Sequence, residues 1–587
     1  MATLASSASP SIARTRSELQ SKKTISPQDY AHLVESHSKR SAAETVYPGT
    51  NFANLAAYLL GPYERHNAAR SHENVSENEP MADTSYVTLY SFGDRGNHST
   101  HHFILSTQLT NLDLDTQPDI NGRLLFIRGN VAPEWLTVIG AKFRLDPEFF
   151  HRHLDFKHVV RRPDYFLLPT MPSAASQMTR VRLNTIGYVM RHRRTAGGLD
   201  QADLDMVRHR AEDSWAYYAE RLARGRKGES RSGDSIVRDF SIHDHDHFSL
   251  EQDISMHLTS TDDKWLAVIW LDVGEPLTLS PAEPWSPQLF GVDPLEISLH
   301  PTIQQRDGVA LNGKSYINKT AKSEDDTNHS RIVQTASLLH LEYDRRLEAD
   351  AVSNRPIFVL IDILRLCASS EVQLLNMIEA KISIELSPAG SQAQNEPTVS
   401  NLLYHKRVLR RHMQRLLENK TFIETQASMV RHDSLRPCLS SGSKSKLDAI
   451  LHDFDYLLEK AKDLTNECDR GMGIMMNKAS IKEAQRAIVQ AERVTKLTKL
   501  AFVFVPLSFT CSFFGMNFSQ FSAGSDLSLW VWAALSAPVL LLSMTFMKWD
   551  VAWEIRRWLR WMDRASRPIR IRLIERTSRF DVRSTLD

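Results

Sequence analysis

The sequence predicts an α/β cytoplasmic domain followed by a long stalk helix and two transmembrane helices. β-favouring runs alternate with helical runs up to about residue 400, a pattern typical of an α/β domain. An apolar stripe at three- and four-residue steps then starts at Leu447, and no proline lies between Pro437 and Pro506, which predicts one long helix. Two later runs, from Leu500 and from Leu527, contain no Lys, Arg, Asp or Glu, which favours membrane spans.

Composition divides the 587 residues into successive segments. The N-terminal segment is rich in Ser, Arg and small residues, so we predict that it is disordered, and we expect disordered insertions within the large domain. The segments are the disordered N-terminal segment (1–46), the cytoplasmic α/β domain (47–400), a helical region that includes the stalk (401–496), the first transmembrane helix (497–517), an external loop (518–528), the second transmembrane helix (529–548) and a basic cytoplasmic tail (549–587).

Within the large domain, short apolar runs predict strands and longer periodic runs predict helices. The strand candidates are "SYVTLYSF", "GRLLFIRG", "DSIVRDFSI" and "KWLAVIWLDV". Gln201 to Arg224 and Pro356 to Leu386 have helical patterns. The motif "HDHDH" places His243, His245 and His247 at alternate positions, which on a strand would share one face and suggest a zinc site. The interpretation that we favour is a hydrated polar loop.

Charge and cysteine content argue against several classes of protein. Lys and Arg total 71 and Asp and Glu total 70, and no basic patch interleaved with aromatic residues precedes residue 480, so we expect no nucleic-acid partner. The four cysteines lack CxxC spacing, which argues against a zinc cluster or a disulfide framework. Without a nucleophile triad, phosphate loop or dinucleotide motif, we expect no enzymatic activity and no cofactor.

The long helix should need partners. From Leu447 to Phe514 it would be about 100 Å long at 1.5 Å per residue, so its apolar stripe must pack against copies of the same chain. Before Lys496 we favour a coiled-coil seam for that stripe. Gly471 and Gly473 weaken the middle of the helix and predict a bend.

Length and flanking charge predict how the two apolar runs cross a bilayer. A span needs roughly 20 residues, which Leu527–Met547 supplies and which the first run reaches if it extends back through Leu497. Lys and Arg flank both outer ends of the hairpin and are absent from the loop at 518–528, so both termini should be cytoplasmic. Pro506 and Pro538 are tolerable if other groups satisfy the carbonyls they free. The alternative is a pair of buried core helices.

One segment resembles a known family. "QAERVTKLTKLAFVFVPLSFTCSFFGMNF" is similar to the end of the stalk and the first span of the CorA family of magnesium channels, and it closes on the family's Gly-Met-Asn signature at Gly515, Met516 and Asn517. Pro506, Phe518, the short loop, the second span and the basic tail strengthen this likeness. A fainter likeness to the family's cytoplasmic domain lies at 122–156.

The resemblance implies a funnel-shaped homopentamer in which Gly515, Met516 and Asn517 form the selectivity filter. Asn517 would hold hydrated Mg²⁺ through its shell of water, which suits an ion that dehydrates reluctantly. Helical spacing back from Asn517 gives the expected pore-lining residues, namely Ser512, Ser508, Val505, Ala501, Leu497 and Val494. The alternative for the tripeptide is an ordinary helix C-cap.

We therefore expect a homopentameric channel for divalent cations, chiefly Mg²⁺, embedded in a lipid bilayer. Mg²⁺ is also expected to act on the cytoplasmic domain, with Asp453, Asp455, Glu459 and Asp463 of the stalk as candidate ligands. The alternatives are a non-conducting membrane-anchored scaffold or sensor, and a zinc or nickel transporter of the same fold. We expect the plasma membrane rather than the mitochondrial inner membrane.

Overall fold

The structure, a computed structural model, describes most but not all of the chain. The described residues are 25–69, 86–93, 98–113, 120–155, 177–189, 201–224, 232–260, 264–277, 285, 297–304, 334–343, 357–387, 395–432, 441–515 and 529–548. They divide into two compact units, Met1–Gly473 and Ile474–Asp587, which are described separately below.

The secondary structure of the first unit alternates strands and helices before it becomes helical. The strands are β1 (Val87–Gly93), β2 (His98–Phe103), β3 (Ile120–Arg128), β4 (Met178–Val189), β5 (Asp239–Ile242), β6 (His247–Ser260), β7 (Trp265–Leu271) and β8 (Ile297–Leu299). The helices are α1 (Pro27–Ser38), α2 (Ala53–Ala69), α3 (Ser106–Asn111), α4 (Pro133–Phe143), α5 (Pro147–His153), α6 (Gln201–Arg224), α7 (Leu339–Glu342), α8 (Ile357–Leu386), α9 (Asn395–His432), α10 (Ser441–Gly515) and α11 (Leu529–Lys548). The last part of α10 and all of α11 belong to the second unit.

The strands of the described residues form one mixed sheet in the order β2-β1-β3-β7-β6-β4-β8, with β5 beside the first half of β6. Only the β3–β7 pair is parallel, and the other pairs are antiparallel. The candidate strand sequences all supply strand residues, and α6 has the predicted bounds. The α/β prediction is therefore confirmed for this unit.

Helices cover both faces of the sheet, because its central strands are apolar on both faces. Leu124 and Phe126 of β3 contribute to a core with α8, α9 and the first part of α10. Leu125 and Ile127, which point the other way, contribute to a core with α1, α2, α4 and α5. This alternation follows from the two-residue period of a strand and gives a three-layer arrangement.

The N-terminal prediction needs a correction. We predicted disorder through residue 46, but residues 27–38 form α1, which buries Tyr30, Ala31 and Val34. The Ser26 hydroxyl accepts a hydrogen bond from the Asp29 backbone N–H, and Pro27 occupies the first helical position, so the helix has a regular N-terminal start. The Ser- and Arg-rich composition concealed a short amphipathic helix. Residues 1–24 lie outside the described residues.

The long helix is present, and the bend at Gly471 and Gly473 stays a prediction. Helix α10 runs from Ser441 to Gly515 without interruption. Gly471 is buried, and a Cβ on it would lie 2.5 Å from Leu386 Cδ2 and 3.1 Å from Leu402 Cδ1. Its role is therefore close packing against α8 and α9. Gly473 has no atom within 4 Å of an added Cβ.

Candidate functional site

The first candidate site is the apolar hairpin of the second unit. Helix α10 contains an 18-residue segment with a mean hydropathy of 1.6, and only 6% of that segment is buried. By its length and composition the helix could therefore cross a membrane. The apolar part of α11, Trp530–Thr545, is shorter. Two polar contacts join these helices: Ser536 Oγ donates to Thr510 Oγ1 at 3.1 Å, and Ser543 Oγ donates to the Phe502 carbonyl oxygen at 2.6 Å.

The second of these contacts explains how Pro506 is accommodated. A proline inside a helix lacks the N–H that would bind the carbonyl four residues earlier, which here is that of Phe502. The Ser543 hydroxyl supplies the missing donor from α11. A carbonyl group freed within an apolar slab must find such a partner. The contact with Ser543 therefore supplies the partner that we expected Pro506 to require.

The two faces of α10 in this unit differ in what they contact. The partly or fully buried positions after Ala501 are Val503, Pro506, Leu507, Thr510 and Phe514. At about 100° per residue these positions share one face, the face that holds the contacts with α11. The expected pore-lining residues Val494, Leu497, Ala501, Val505, Ser508 and Ser512 lie on the opposite face and are all exposed. Among them, the larger apolar residues Val494, Leu497 and Val505 are 60%, 66% and 62% exposed, respectively.

The structure describes the filter tripeptide only at its first residue. Gly515 is the last residue of α10, and Met516 and Asn517 lie outside the described residues. An added Cβ at Gly515 would meet nothing within 4 Å in this chain. Within the described part of a single chain the space beside Gly515 is therefore open.

The second candidate site is a buried network of charges in the first unit that the sequence analysis missed. Arg182 of β4 lies opposite Asp253 of β6, and its Nε is 2.8 Å from Asp253 Oδ1 while its Nη1 is 2.8 Å from Glu251 Oε2. Arg238 contacts Asp272 through Nε and Nη2 at 2.6 and 2.8 Å. Burial alone would raise the pKa of Asp253, but Arg182 and Arg180 outweigh it and hold that pKa well below its usual range.

His412 of α9 connects this network to helix α8. Its Nδ1 is 2.9 Å from Glu371 Oε1 on α8, and its Nε2 is 3.3 Å from Glu251 Oε1 on β6. Burial disfavours the imidazolium, but the carboxylates of Glu371 and Glu251 more than compensate and raise the pKa of His412 to about 10. His412 is thus positively charged at neutral pH and joins two helices to the sheet. Charged residues inside otherwise apolar strands, as in "TRVRLN" and "SLEQDIS", were the signal in the sequence.

The hydrated polar loop that we favoured for the three histidines is only partly correct, since His243 is buried, and the alternative of a zinc site is not supported. Residues 244–246 form a bend between β5 and β6, so the three histidines do not share a strand face. His243 is buried with its Nε2 2.9 Å from Ser249 Oγ, and its ring stacks on that of His405. His247 Nδ1 is 3.0 Å from Asp244 Oδ1. Among the described residues no group of three His, Cys, Asp or Glu side chains is arranged to hold a metal.

The acidic residues proposed on the stalk are exposed and belong to no metal-binding group of three among the described residues. Asp453, Asp455, Glu459 and Asp463 all have exposed side chains on α10. Asp455 forms an ion pair with Lys420 of α9 at 2.7 Å. Burial raises the pKa of Asp453 although Arg365 and His452 lower it. Any metal site made from these acids would need ligands beyond the described residues of this chain.

Comparison with known proteins identifies one family. Residues 334–549 match the family described as CorA-like Mg²⁺ transporter protein. None of the curated proteins matches the chain. Among solved structures, the complete structure of the CorA magnesium transporter from Methanocaldococcus jannaschii aligns with 79% of this chain and 98% of that chain, at 12% sequence identity and a TM-score of 0.35. That TM-score is too low for the likeness to carry an argument about this chain.

The described residues thus define an α/β protein whose long C-terminal helix ends in an apolar segment paired with a second apolar helix. The matched region contains α8, α9, the whole of α10 and α11. This region of the chain matches the CorA-like Mg²⁺ transporter family, and the resemblance found in the sequence is confirmed there. Divalent cation transport is the general activity associated with the family.

Proposed function

We propose that this protein is a homopentameric channel that conducts divalent cations, chiefly Mg²⁺, across a lipid bilayer. The observation that carries the proposal is the division of α10 into two faces. One face contacts α11, and the opposite face presents Val494, Leu497, Ala501, Val505, Ser508 and Ser512 with no partner in the described part of the chain. A single hairpin encloses no path, so several copies must place this second face around an axis.

The chemistry of that face suits a hydrated cation. Ser508 and Ser512 place hydroxyls near the Gly515 end, whereas Val505, Leu497 and Val494 form apolar positions that close a narrow pore by dewetting. Asn517 follows at the mouth and offers a carbonyl oxygen that accepts hydrogen bonds from the water shell of Mg²⁺. A ring of five such amides binds the hydrated ion without holding it too strongly to leave.

The remaining proposals concern the topology of the hairpin, the membrane that contains the protein and the regulation of the channel. Both spans cross the membrane, α11 being the second, with the loop at 518–528 outside and both termini in the cytoplasm. The plasma membrane is the proposed location. Mg²⁺ binding between neighbouring cytoplasmic domains closes the channel when the ion is plentiful, with Asp453, Asp455, Glu459 and Asp463 as candidate ligands.

The decisive experiment measures uptake in a host that lacks its own magnesium uptake. Expression of the unmutated chain should restore growth at low Mg²⁺, and Asn517→Ala should abolish uptake normalised to the amount of assembled protein at the surface. Asn517→Asp should also reduce flux, because five close carboxylates retain the ion. Unaltered uptake by Asn517→Ala would show that Asn517 is only a helix cap.

Two further outcomes separate the alternatives. Surface expression of the unmutated chain without any rescue would favour a non-conducting scaffold or sensor. Uptake of Zn²⁺ or Ni²⁺ without uptake of Mg²⁺, measured with each ion separately, would reassign the transported cation.

A further inference from the structure

Two exposed lysines lie at the point where α10 becomes apolar. Lys496 and Lys499 precede the uncharged run that starts at Leu500, and neither forms an ion pair within the part of the chain that the structure describes. The nearest acidic residue in the sequence is Glu492, and Arg493 adds a further positive charge. This end of the apolar segment therefore carries positive charge that the described chain does not neutralise.

The direction in which the two lysines point follows from the geometry of the helix. At about 100° per residue, Lys496 and Lys499 fall on the same side of α10 as Leu507 and Thr510, the side that contacts α11. The expected pore-lining position Val505 lies on the opposite side. The two ammonium groups therefore point away from the proposed pore and toward the outer surface of the hairpin.

An exposed aromatic stripe on α10 begins beside Lys499. Phe502, Phe509 and Phe513 follow it at steps of three, seven and four residues, so these side chains share one face of the helix. They are 41%, 67% and 44% exposed, respectively. A cation at one end of an exposed apolar stripe fits a ligand with an anionic head and an apolar tail.

The end of α11 lies level with the two lysines. Helices α10 and α11 are antiparallel, and Ser543 of α11 contacts the Phe502 carbonyl of α10. Helix α11 ends five residues later, at Lys548, which is therefore level with position 497 of α10. The sequence that follows, "VAWEIRRWLRWMDRASRPIRIR" at 551–572, contains seven arginines and two acidic residues, so further positive charge begins at the same level.

Positive charge at this level favours an anionic partner in the membrane surface. Anionic lipids attract lysines and arginines next to a membrane span by about fivefold per residue, over about 8 Å at physiological ionic strength. Lys499 directly precedes Leu500, and Lys496 lies four residues, or about 6 Å, before it. In the membrane-spanning arrangement proposed for α10, both ammonium groups are therefore within reach of lipid phosphates. A zwitterionic headgroup has no net charge and gives no comparable attraction.

We infer that Lys496 and Lys499 bind anionic phospholipids of the cytoplasmic leaflet on the outer surface of the hairpin. The lipid headgroup contacts the two ammonium groups, and an acyl chain lies along the stripe of Phe502, Phe509 and Phe513. The positive charge is thereby neutralised by the bilayer and not by the protein. The inference rests on the membrane topology given under the proposed function, but it does not depend on cation conduction.

The test is native mass spectrometry of the full-length protein in mild detergent, with phosphatidylserine or phosphatidylcholine of identical acyl chains. Phosphatidylserine should bind at least about tenfold more tightly than phosphatidylcholine, because two lysines contribute to its attraction. Equal affinity for the two lipids would overturn the proposal. Glycerophosphoserine, the same headgroup without acyl chains, should not displace phosphatidylserine at equal concentration, and displacement would overturn the assignment of a lipid.

Variants locate the binding. Lys496→Gln combined with Lys499→Gln should lower the preference for phosphatidylserine about tenfold, whereas arginine at both positions should keep it. Glu492→Gln removes the nearest negative charge and should raise the preference. Lys482→Gln combined with Arg486→Gln is the matched control, since it removes two charges from exposed positions about 15 Å or more farther from the membrane. Equal losses in the two glutamine pairs would overturn the site, and so would loss of the preference in the arginine pair.

Uptake measurements on the same preparations separate this inference from the proposed function. A parent chain that takes up Mg²⁺ but does not distinguish the two lipids would overturn the lipid site and leave the channel. A parent chain that prefers phosphatidylserine but conducts no ion would support the lipid site and contradict the channel.

Discussion

Ser543 and Pro506 show how a single residue on one helix compensates for a defect in another. Proline removes one backbone donor from α10, and the Ser543 hydroxyl restores a partner for the Phe502 carbonyl from α11. In water such a carbonyl would be hydrated at little cost. In the membrane-spanning arrangement proposed for these helices it has no such alternative, so the contact should contribute to helix association.

At this scale we predict that Ser543→Ala lowers the stability of the full-length protein in detergent by roughly 1 kcal/mol, the usual size of such interhelical hydrogen bonds. Thr545→Val is the control, because Thr545 Oγ1 bonds the Leu542 carbonyl of its own helix at 2.7 Å. The measurement is the thermal unfolding midpoint of both variants and of the parent. An equal midpoint for Ser543→Ala and the parent would contradict the role assigned to this hydroxyl.

At the scale of elements, α10 and its neighbours are packed through Gly471. The added Cβ of Gly471→Ala would overlap Leu386 and crowd Leu402, whereas that of Gly473→Ala would meet nothing. Alanine has a helix propensity about 1 kcal/mol better than that of glycine, so Gly473→Ala should stabilise the protein. Gly471→Ala should be less stable than Gly473→Ala by at least about 1 kcal/mol, because the clash offsets the propensity gain. Thermal unfolding of the pair checks this order, and equal midpoints would refute the packing role.

The attachment of α8 and α9 to the sheet should depend on pH through His412. The pKa of His412 is raised to about 10 in the folded protein, against about 6.5 for an unperturbed histidine. The contribution of the charged imidazolium to the free energy of unfolding is therefore complete below about pH 6.5 and is lost as the pH rises through 10. The stability difference between the parent and His412→Gln should therefore be constant below about pH 6.5 and shrink by up to about 1.4 kcal/mol per pH unit above it.

His405→Gln provides the contrast for that experiment. Burial, together with Arg208, lowers the pKa of His405 to about 3, so this histidine is neutral when folded throughout the alkaline range. The difference in the free energy of unfolding between His405→Gln and the parent should not change between pH 6.5 and 10. Thermal unfolding across that range measures both variants, and a flat profile for His412→Gln would show that His412 is not charged in the folded protein.

At the scale of the whole molecule, the proposed pore requires assembly. The exposed apolar residues Val494, Leu497 and Val505 lie on a face with no partner in the described part of the chain. Burial of such a face against identical copies is the expected source of association.

We predict that the full-length protein in mild detergent has five times the mass of one chain, as measured by native mass spectrometry or mass photometry. Leu497→Asp, which places a charge on the unpartnered face, should reduce the pentamer fraction. Lys482→Asp introduces the same residue on the part of α10 before the apolar segment and serves as the control. A stable monomer or dimer of the parent chain in several detergents would count against the pore.

Features that depend on local periodicity and composition could be predicted from the sequence. It predicted the alternating strands, the long helix from 447 to 514, the uncharged runs and the signature that begins at Gly515. Each of these features depends on the spacing of apolar residues over a short stretch of chain or on a short motif. Such signals can be recognised without knowledge of distant contacts. Met516 and Asn517 were found from the motif alone, and their geometry is outside the described residues.

The contacts between distant residues could be found only in the folded chain. The register of β4 against β6 puts Arg182 opposite Asp253, and the packing of α9 on the sheet brings His412 between Glu371 and Glu251. Such pairings join residues many positions apart, so no local pattern specifies them. A buried charge is tolerated only where the fold supplies its partner, and the fold supplies that partner only once sheet order and helix packing are fixed.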